Sequence, residues 1–183
     1  MARVTGWIYE KECLVFKWVN SRLQHRLLDK YFNVITHLGG ATATIITTLL
    51  VLLLAPDNER MLAAAGFLSL LLSHIPVAIS KKCYPRKRPY LMIPGTKTFS
   101  HPLKDHSFPS GHTTAVFSCI IPLSLIHPGL LWLLLPLGFS VGISRMYLGL
   151  HYPTDVLAGM VLGISSGIFT VFLVNAYLVS NHL

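Results

Sequence analysis

The residues Ser144-Arg145-Met146-Tyr147-Leu148-Gly149-Leu150-His151-Tyr152-Pro153-Thr154-Asp155 place an arginine, a histidine and an aspartate between two long apolar runs. Pro153 suits a first helical position, where a backbone N–H would lack a partner anyway. A helix starting there puts Asp155 in its first turn, near His151. A carboxylate so placed can accept a proton from one imidazole nitrogen, fixing the tautomer and leaving the other nitrogen as base or nucleophile. Arg145 is permanently charged and can fork onto phosphate or carboxylate oxygens. Charges at the edge of a membrane span point to function by default, although Arg145 and Asp155 could also serve as plain boundary charges.

Two further stretches carry the same kind of chemistry. Lys81-Lys82-Cys83-Tyr84-Pro85-Arg86-Lys87-Arg88-Pro89 closes one apolar run, and Pro109-Ser110-Gly111-His112 opens another. Together the three resemble the signature of the type 2 phosphatidic acid phosphatase superfamily. That signature is Lys, six residues, Arg-Pro; then Pro-Ser-Gly-His; then Ser-Arg, five residues, His, three residues, Asp. Every specified position is matched, by Lys81, Arg88, Pro89, Pro109, Ser110, Gly111, His112, Ser144, Arg145, His151 and Asp155. The resemblance runs from Lys81 to Asp155.

The elements that must position these residues are helical and apolar. Of 183 residues, 52% are hydrophobic and 12% charged, about half the charged share of a soluble domain. The expected fold is all-α: one polytopic membrane bundle over 1–183, with about five transmembrane helices and an N-terminal amphipathic helix. Residues 8–37 read as that helix. Phe16, Val19, Leu23, Leu27, Tyr31 and Val34 recur at helical spacing opposite Lys17, Arg22, Arg26 and Lys30. Trp7 and Trp18 are expected to anchor it in the head-group layer. Gly39-Gly40 ends it. Spans follow over 38–55, 61–80, 112–126, 130–150 and 156–178, with residues 81–111 as a proline-interrupted loop over the site. Gly159, Gly163 and Gly167 recur every four residues in the last span and predict close helix packing.

Counting spans puts all three motifs on one membrane face, whereas one missing or extra span would part them by about 30 Å of hydrocarbon. That face carries all but one of the fifteen lysines and arginines, so the positive-inside rule leans toward a cytoplasmic site in a bacterial cell membrane. No cleavable leader is expected, since charges run through the first thirty residues. The net charge of +8 fits anionic head groups. Nucleic acid is not an expected partner, because the basic residues interleave with spans. Cys13, Cys83 and Cys119 form no framework for a disulfide. His101, His106 and His112 fit no zinc spacing, and neither metal nor cofactor is expected. Lys82, Arg86, Lys87, Lys97 and Lys104 read as a solvated or lipid-contacting basic surface. His74, within the second span, reads as a hydrogen-bonded core residue.

The resemblance implies an integral-membrane lipid phosphatase. Lys81, Arg88 and Arg145, with Ser110 and Gly111 at a helix N-terminus, would hold the phosphate. His151 would attack phosphorus and form a phosphohistidine, Asp155 would orient it, and His112 would protonate the leaving oxygen and then activate water. The expected partner is a membrane lipid: phosphatidate, phosphatidylglycerol phosphate or a polyprenyl phosphate or diphosphate. The same signature is similar to that of soluble acid phosphatases and vanadium haloperoxidases, which five spans disfavour. A transporter that binds phosphate without cleaving it is the alternative, and it would not need His112, His151 and Asp155 together. Oligomeric state is not legible in the sequence.

Overall fold

The computed structural model describes residues 2–98 and 103–181. His101 and Pro102, within the expected site loop, lie outside the described residues. In chain order the elements are α1 (Ala2–Lys17), a π-helical turn (Trp18–Arg22), α2 (Arg26–Ile35), a 3-10 turn (Thr36–Gly39), α3 (Ala41–Leu54), α4 (Arg60–Cys83), a short helix α5 (Pro89–Met92), α6 (Gly111–Ile126), a 3-10 turn (Pro128–Leu130), α7 (Leu131–Tyr147) and α8 (Pro153–Asn181). The architecture is the expected all-helical membrane bundle.

At the centre stands α6. Its Thr113, Thr114, Ala115, Phe117, Ser118, Cys119, Ile120 and Pro122 are all buried, so it has no lipid-facing stripe. Two of its hydroxyls bond back to the backbone one turn earlier: Thr114 Oγ1 donates to Ser110 O at 3.0 Å and Ser118 Oγ to Ala115 O at 2.8 Å. The surrounding α3, α4, α7 and α8 turn Leu53, Leu54, Ile79, Trp132, Leu133 and Phe172 outward, as lipid-facing helices do. The glycines of α8 set its distance from α6. A Cβ on Gly163 would lie 2.5 Å from Thr114 O and 2.9 Å from Ser118 N; one on Gly159 would lie 2.6 Å from Ser110 O. Backbone-to-backbone contact of this kind is open only to glycine.

Among the described residues, three helices are long and apolar enough to cross a membrane: Arg60–Cys83, Pro128–Tyr147 and Pro153–Ser180. A fourth crossing is possible if Arg26–Gly39 and Ala41–Leu54, bent by 56°, act as one broken span. The 16 residues of α6 reach about 24 Å, short of a full bilayer core. The count of five is therefore not reproduced by length and apolarity, because the middle helix is sheltered by its neighbours. Two ends are distinct. One holds the three motifs; the other holds the Arg60–Asp57 pair at 2.8 Å and Glu59 facing His127 at 3.5 Å.

The single amphipathic helix expected over 8–37 is broken. Asn20, fully buried, donates to Tyr147 O at 2.8 Å and Lys97 O at 2.9 Å and accepts from Lys97 N at 3.0 Å. His25 then adopts an extended backbone and its ring accepts the Leu27 N–H, restarting the helix. The expected stripe holds only up to the break: Leu27, Tyr31 and Val34 face outward, and it is Phe32 and Ile35 of α2 that join Phe16 and Val19 in a core with Val141, Tyr147 and Tyr152. Trp7 and Trp18 point outward, as expected of interfacial anchors. Helix α4 likewise outruns its expected end, so Lys81 sits on its last turn.

Gly163→Ala should cost on the order of 1–3 kcal/mol through overpacking, despite its better helix propensity. Gly129→Ala, with no atom within 4 Å of the new methyl, should be neutral. Thermal unfolding in detergent reads both, and equal melting temperatures would contradict the glycine contact.

Candidate active site

Local capping explains the spacing of the third motif. Where α7 ends, Arg145 O accepts the N–H groups of Leu150 at 3.0 Å and His151 at 3.2 Å. The reversal passes through Gly149 at φ 74°, where a Cβ would also strike Lys97 O at 2.7 Å. Then α8 starts at Pro153, and Asp155 Oδ2 reaches back to the Tyr152 N–H at 2.8 Å, the acidic half of a capping box. The second motif is a cap as well. Ser110 Oγ accepts from Thr113 N at 3.4 Å and bonds Thr113 Oγ1 at 2.9 Å, while Ser110 N donates to Asp155 O at 3.0 Å. That last bond joins the start of α6 to the start of α8.

Arg88 is 1% exposed and fixes the centre of the site. Its Nη1 donates to Leu150 O at 2.9 Å and contacts His151 Nε2 at 3.1 Å. Its Nε donates to Asp105 O at 2.9 Å and Nη2 pairs with Asp105 Oδ1 at 2.6 Å. A guanidinium can only donate, so His151 Nε2 must be the bare nitrogen and Nδ1 carries the proton. Nδ1 faces Asp155 Oδ2 at 3.7 Å, an electrostatic contact longer than the expected hydrogen bond. The reason is that Asp155 is already engaged: Oδ2 by the Tyr152 amide, Oδ1 by Arg86 Nη1 at 2.8 Å.

Burial drives the His151 imidazole down to about 4; Asp155 opposes this, while Arg145 and Arg88 reinforce it. The ring is therefore neutral at physiological pH. Asp105 feels burial pushing its carboxyl up, but Lys81 and Arg88 overcome it and hold it at about 2. Arg86 loses charge stability to burial and regains more from Asp155 and Glu12, so its guanidinium is raised.

Arg145 Nη1 donates to Thr36 Oγ1 at 2.7 Å, while its buried Nε has no hydrogen-bond partner among the described residues. His112 occupies the second position of α6 and lies within electrostatic reach of Arg145, His151 and His37. Its ring lies beside Gly40: a Cβ there would be 3.8 Å from His112 Nε2, and one on Gly39 would be 2.8 Å from His112 O. These glycines let the chain before α3 close over the start of α6. At Gly111 the nearest atom to an added Cβ is Val77 Cγ1 at 4.0 Å, so protein packing does not demand glycine there, and the backbone stays open to a ligand.

Lys81, Arg88, His151 and Asp155 are thus linked directly or through Asp105, and Arg145, Ser110 and His112 adjoin them. Ser110 differs from expectation in that its backbone N–H is already spent on Asp155 O, as its hydroxyl is on the helix cap. Arg86 differs more. It is no surface cation: it joins Asp155, Thr154 Oγ1 at 2.8 Å and Glu12, and stacks over the Tyr152 ring at 3.8 Å. Asp105, Glu12 and Thr36 were not singled out as site residues either. A carboxylate near a cationic motif is the one signal that could have found Asp105; Glu12 and Thr36 arrive through tertiary folding alone. Among the described residues no three His, Cys, Asp or Glu side chains converge on one point.

Fold and site together define a helical membrane protein that gathers three buried or half-buried cations and two histidines at one end of its bundle. The PAP2 superfamily profile matches residues 61–177, and the chain belongs to that family. It is 36% identical over 113 residues to the bacitracin transport permease protein BcrC of Bacillus licheniformis, covering 61% of this chain and 55% of the relative. It is 31% identical over 113 residues to an undecaprenyl-diphosphatase of Sulfolobus acidocaldarius, with the same two coverages of 61% and 55%. The chain spans about half the length of these curated relatives. The crystal structure of Aquifex aeolicus LpxE superposes with a TM-score of 0.77 at 26% identity, over 87% of this chain and 93% of that one.

With histidines isotopically labelled, the His151 ring should keep its neutral, Nδ1-protonated NMR signature as pH falls from 8 to about 5. Protonation sets in near 4. Titration at the ordinary 6.5 would contradict the buried geometry.

Proposed function

We propose that this protein hydrolyses the phosphate monoester or diphosphate of a membrane lipid, through a phosphohistidine on His151 and without a divalent cation. The observation that carries the reading is the Arg88 contact to His151 Nε2 at 3.1 Å. It leaves the lone pair of a neutral imidazole facing a cluster of cations, which is where an attacking nitrogen and an anionic phosphoryl group need to meet.

An arriving phosphate takes over the donors now shared with Asp105 and His151. Lys81 and Arg88 turn to its oxygens, Arg145 offers its unpartnered Nε, and the open backbone at Gly111 adds N–H groups. The Nε2 lone pair forms the N–P bond as the P–O bond to the lipid breaks. His112 gives its proton to the departing oxygen. Positive charge appears on the His151 ring, and Asp155 beside Nδ1 stabilises it. Water then attacks phosphorus, the N–P bond breaks, and His112 takes the water's proton. The positive charge is supplied by side chains throughout.

The substrate is an amphiphile whose phosphate lies at head-group depth: phosphatidate, phosphatidylglycerol phosphate, or a polyprenyl phosphate or diphosphate. The diphosphatase name of one relative supports the last. A lipid or anion transporter that does not hydrolyse is the second reading; the name of another relative is that of a bacitracin transport permease. A second histidine within electrostatic reach of His151, and an aspartate behind His151, favour cleavage.

Purified protein in detergent with EDTA should release phosphate from a panel of these lipids. His151→Ala should lower release by at least about 1,000-fold, and a brief acid-labile, base-stable phosphoryl label should appear on the wild type alone. Equal release by both proteins would overturn the nucleophile assignment. Loss of wild-type activity with EDTA would overturn the metal-free scheme, and lipid binding without release would favour carriage.

A further inference from the structure

Beyond the motif residues, a second chain of charges reaches the nucleophile from the N-terminal helix. Glu12 of α1 lies outside the family match, is 7% exposed and pairs with Arg86 Nη2 and with Thr154 Oγ1. The other terminal nitrogen of Arg86 binds Asp155 Oδ1 at 2.8 Å and Thr154 Oγ1 at 2.8 Å. Asp155 in turn faces His151 Nδ1. Tyr152 buttresses the line, with Arg86 over its ring and the rings of Tyr9 and Phe16 against it at 5.9 and 6.0 Å. A buried carboxylate is costly unless paired, and Glu12 is buried on the face of α1 that also buries Phe16.

We propose that Arg86 and Glu12 are positioning residues that set how strongly Asp155 supports His151, so that docking of the N-terminal helix tunes the nucleophile. The proposal deepens the phosphohistidine reading and rests on it for its kinetic consequence. Arg86 draws on the Asp155 carboxylate and limits what it can give to the imidazolium that forms during attack. Glu12 draws on Arg86 from the other side and relaxes that competition. The two charges therefore act on His151 in opposite senses. A purely structural ion pair would have no such sign. The other groups facing His151 are Arg88, Arg145 and His112, and those around Arg86 are Cys13 and Tyr9. They are common to all the variants compared.

The test compares Glu12→Gln, Arg86→Gln, Arg86→Lys and the double Gln variant with wild type, all as full chains in detergent and with melting curves recorded. The His151 titration midpoint by NMR should rise by about one pH unit in Arg86→Gln and fall by a smaller amount in Glu12→Gln. In the Arg86→Gln background, Glu12→Gln should add nothing, because it acts through Arg86. On a lipid phosphate, where attack limits turnover, Arg86→Gln should raise kcat up to about tenfold and Glu12→Gln should lower it, both with KM within about twofold. Arg86→Lys should lie between Arg86→Gln and wild type, since a lysine cannot bridge both carboxylates as a fork. Shifts of the same sign, or additive shifts in the double variant, would overturn the proposal. Opposite shifts in a protein that releases no phosphate would sustain the tuning and overturn the phosphatase reading instead.

Discussion

Everything at the site depends on how closely α6 and α8 approach. The first turns of the two helices are joined by the Ser110 N–H to Asp155 O bond at 3.0 Å, and the contact is continued downward by Gly159 and Gly163. His112 belongs to one of these helices. His151 is held just before the other by the carbonyl of Arg145. A wider separation would part the two imidazoles while leaving every motif residue in place. The central helix gives up lipid contact to make this possible, which is why it is short, enclosed and rich in small and hydroxyl side chains.

Charge balance is the second constraint. Arg88 and Arg145 are both almost fully buried, and buried charges persist only when paired or hydrogen-bonded. Asp105 serves Lys81 and Arg88, Asp155 and Glu12 serve Arg86, and Thr36 serves Arg145. In the proposed reaction these carboxylates hold the cations ready for an anion that can partly replace them. His151 stays neutral among them, because its burial makes an imidazolium expensive.

The motif residues and the membrane class were legible in the sequence because they depend on short-range rules. The Arg145 to His151 spacing is a helix ending, the His151 to Asp155 spacing a helix beginning, and the Ser110 to Thr113 spacing a cap. What was not legible came from long-range contacts. Glu12 meets Arg86 across 74 residues, and Asn20 meets Tyr147 across 127, breaking a helix that the periodicity carried straight through. Lys81, Arg86 and Arg88 having internal partners also weakens the charge count as a guide to membrane orientation.

The central claim is that the bare Nε2 of His151 points at the position a phosphorus atom would occupy. A structure of the protein with orthovanadate, a phosphate mimic that accepts a fifth ligand, tests this most directly. The account predicts vanadium bonded to His151 Nε2, with its oxygens on Lys81, Arg88 and Arg145 and with His112 on the opposite side. Vanadate bound elsewhere, or held by the cations with Nε2 still turned to Arg88, would contradict it.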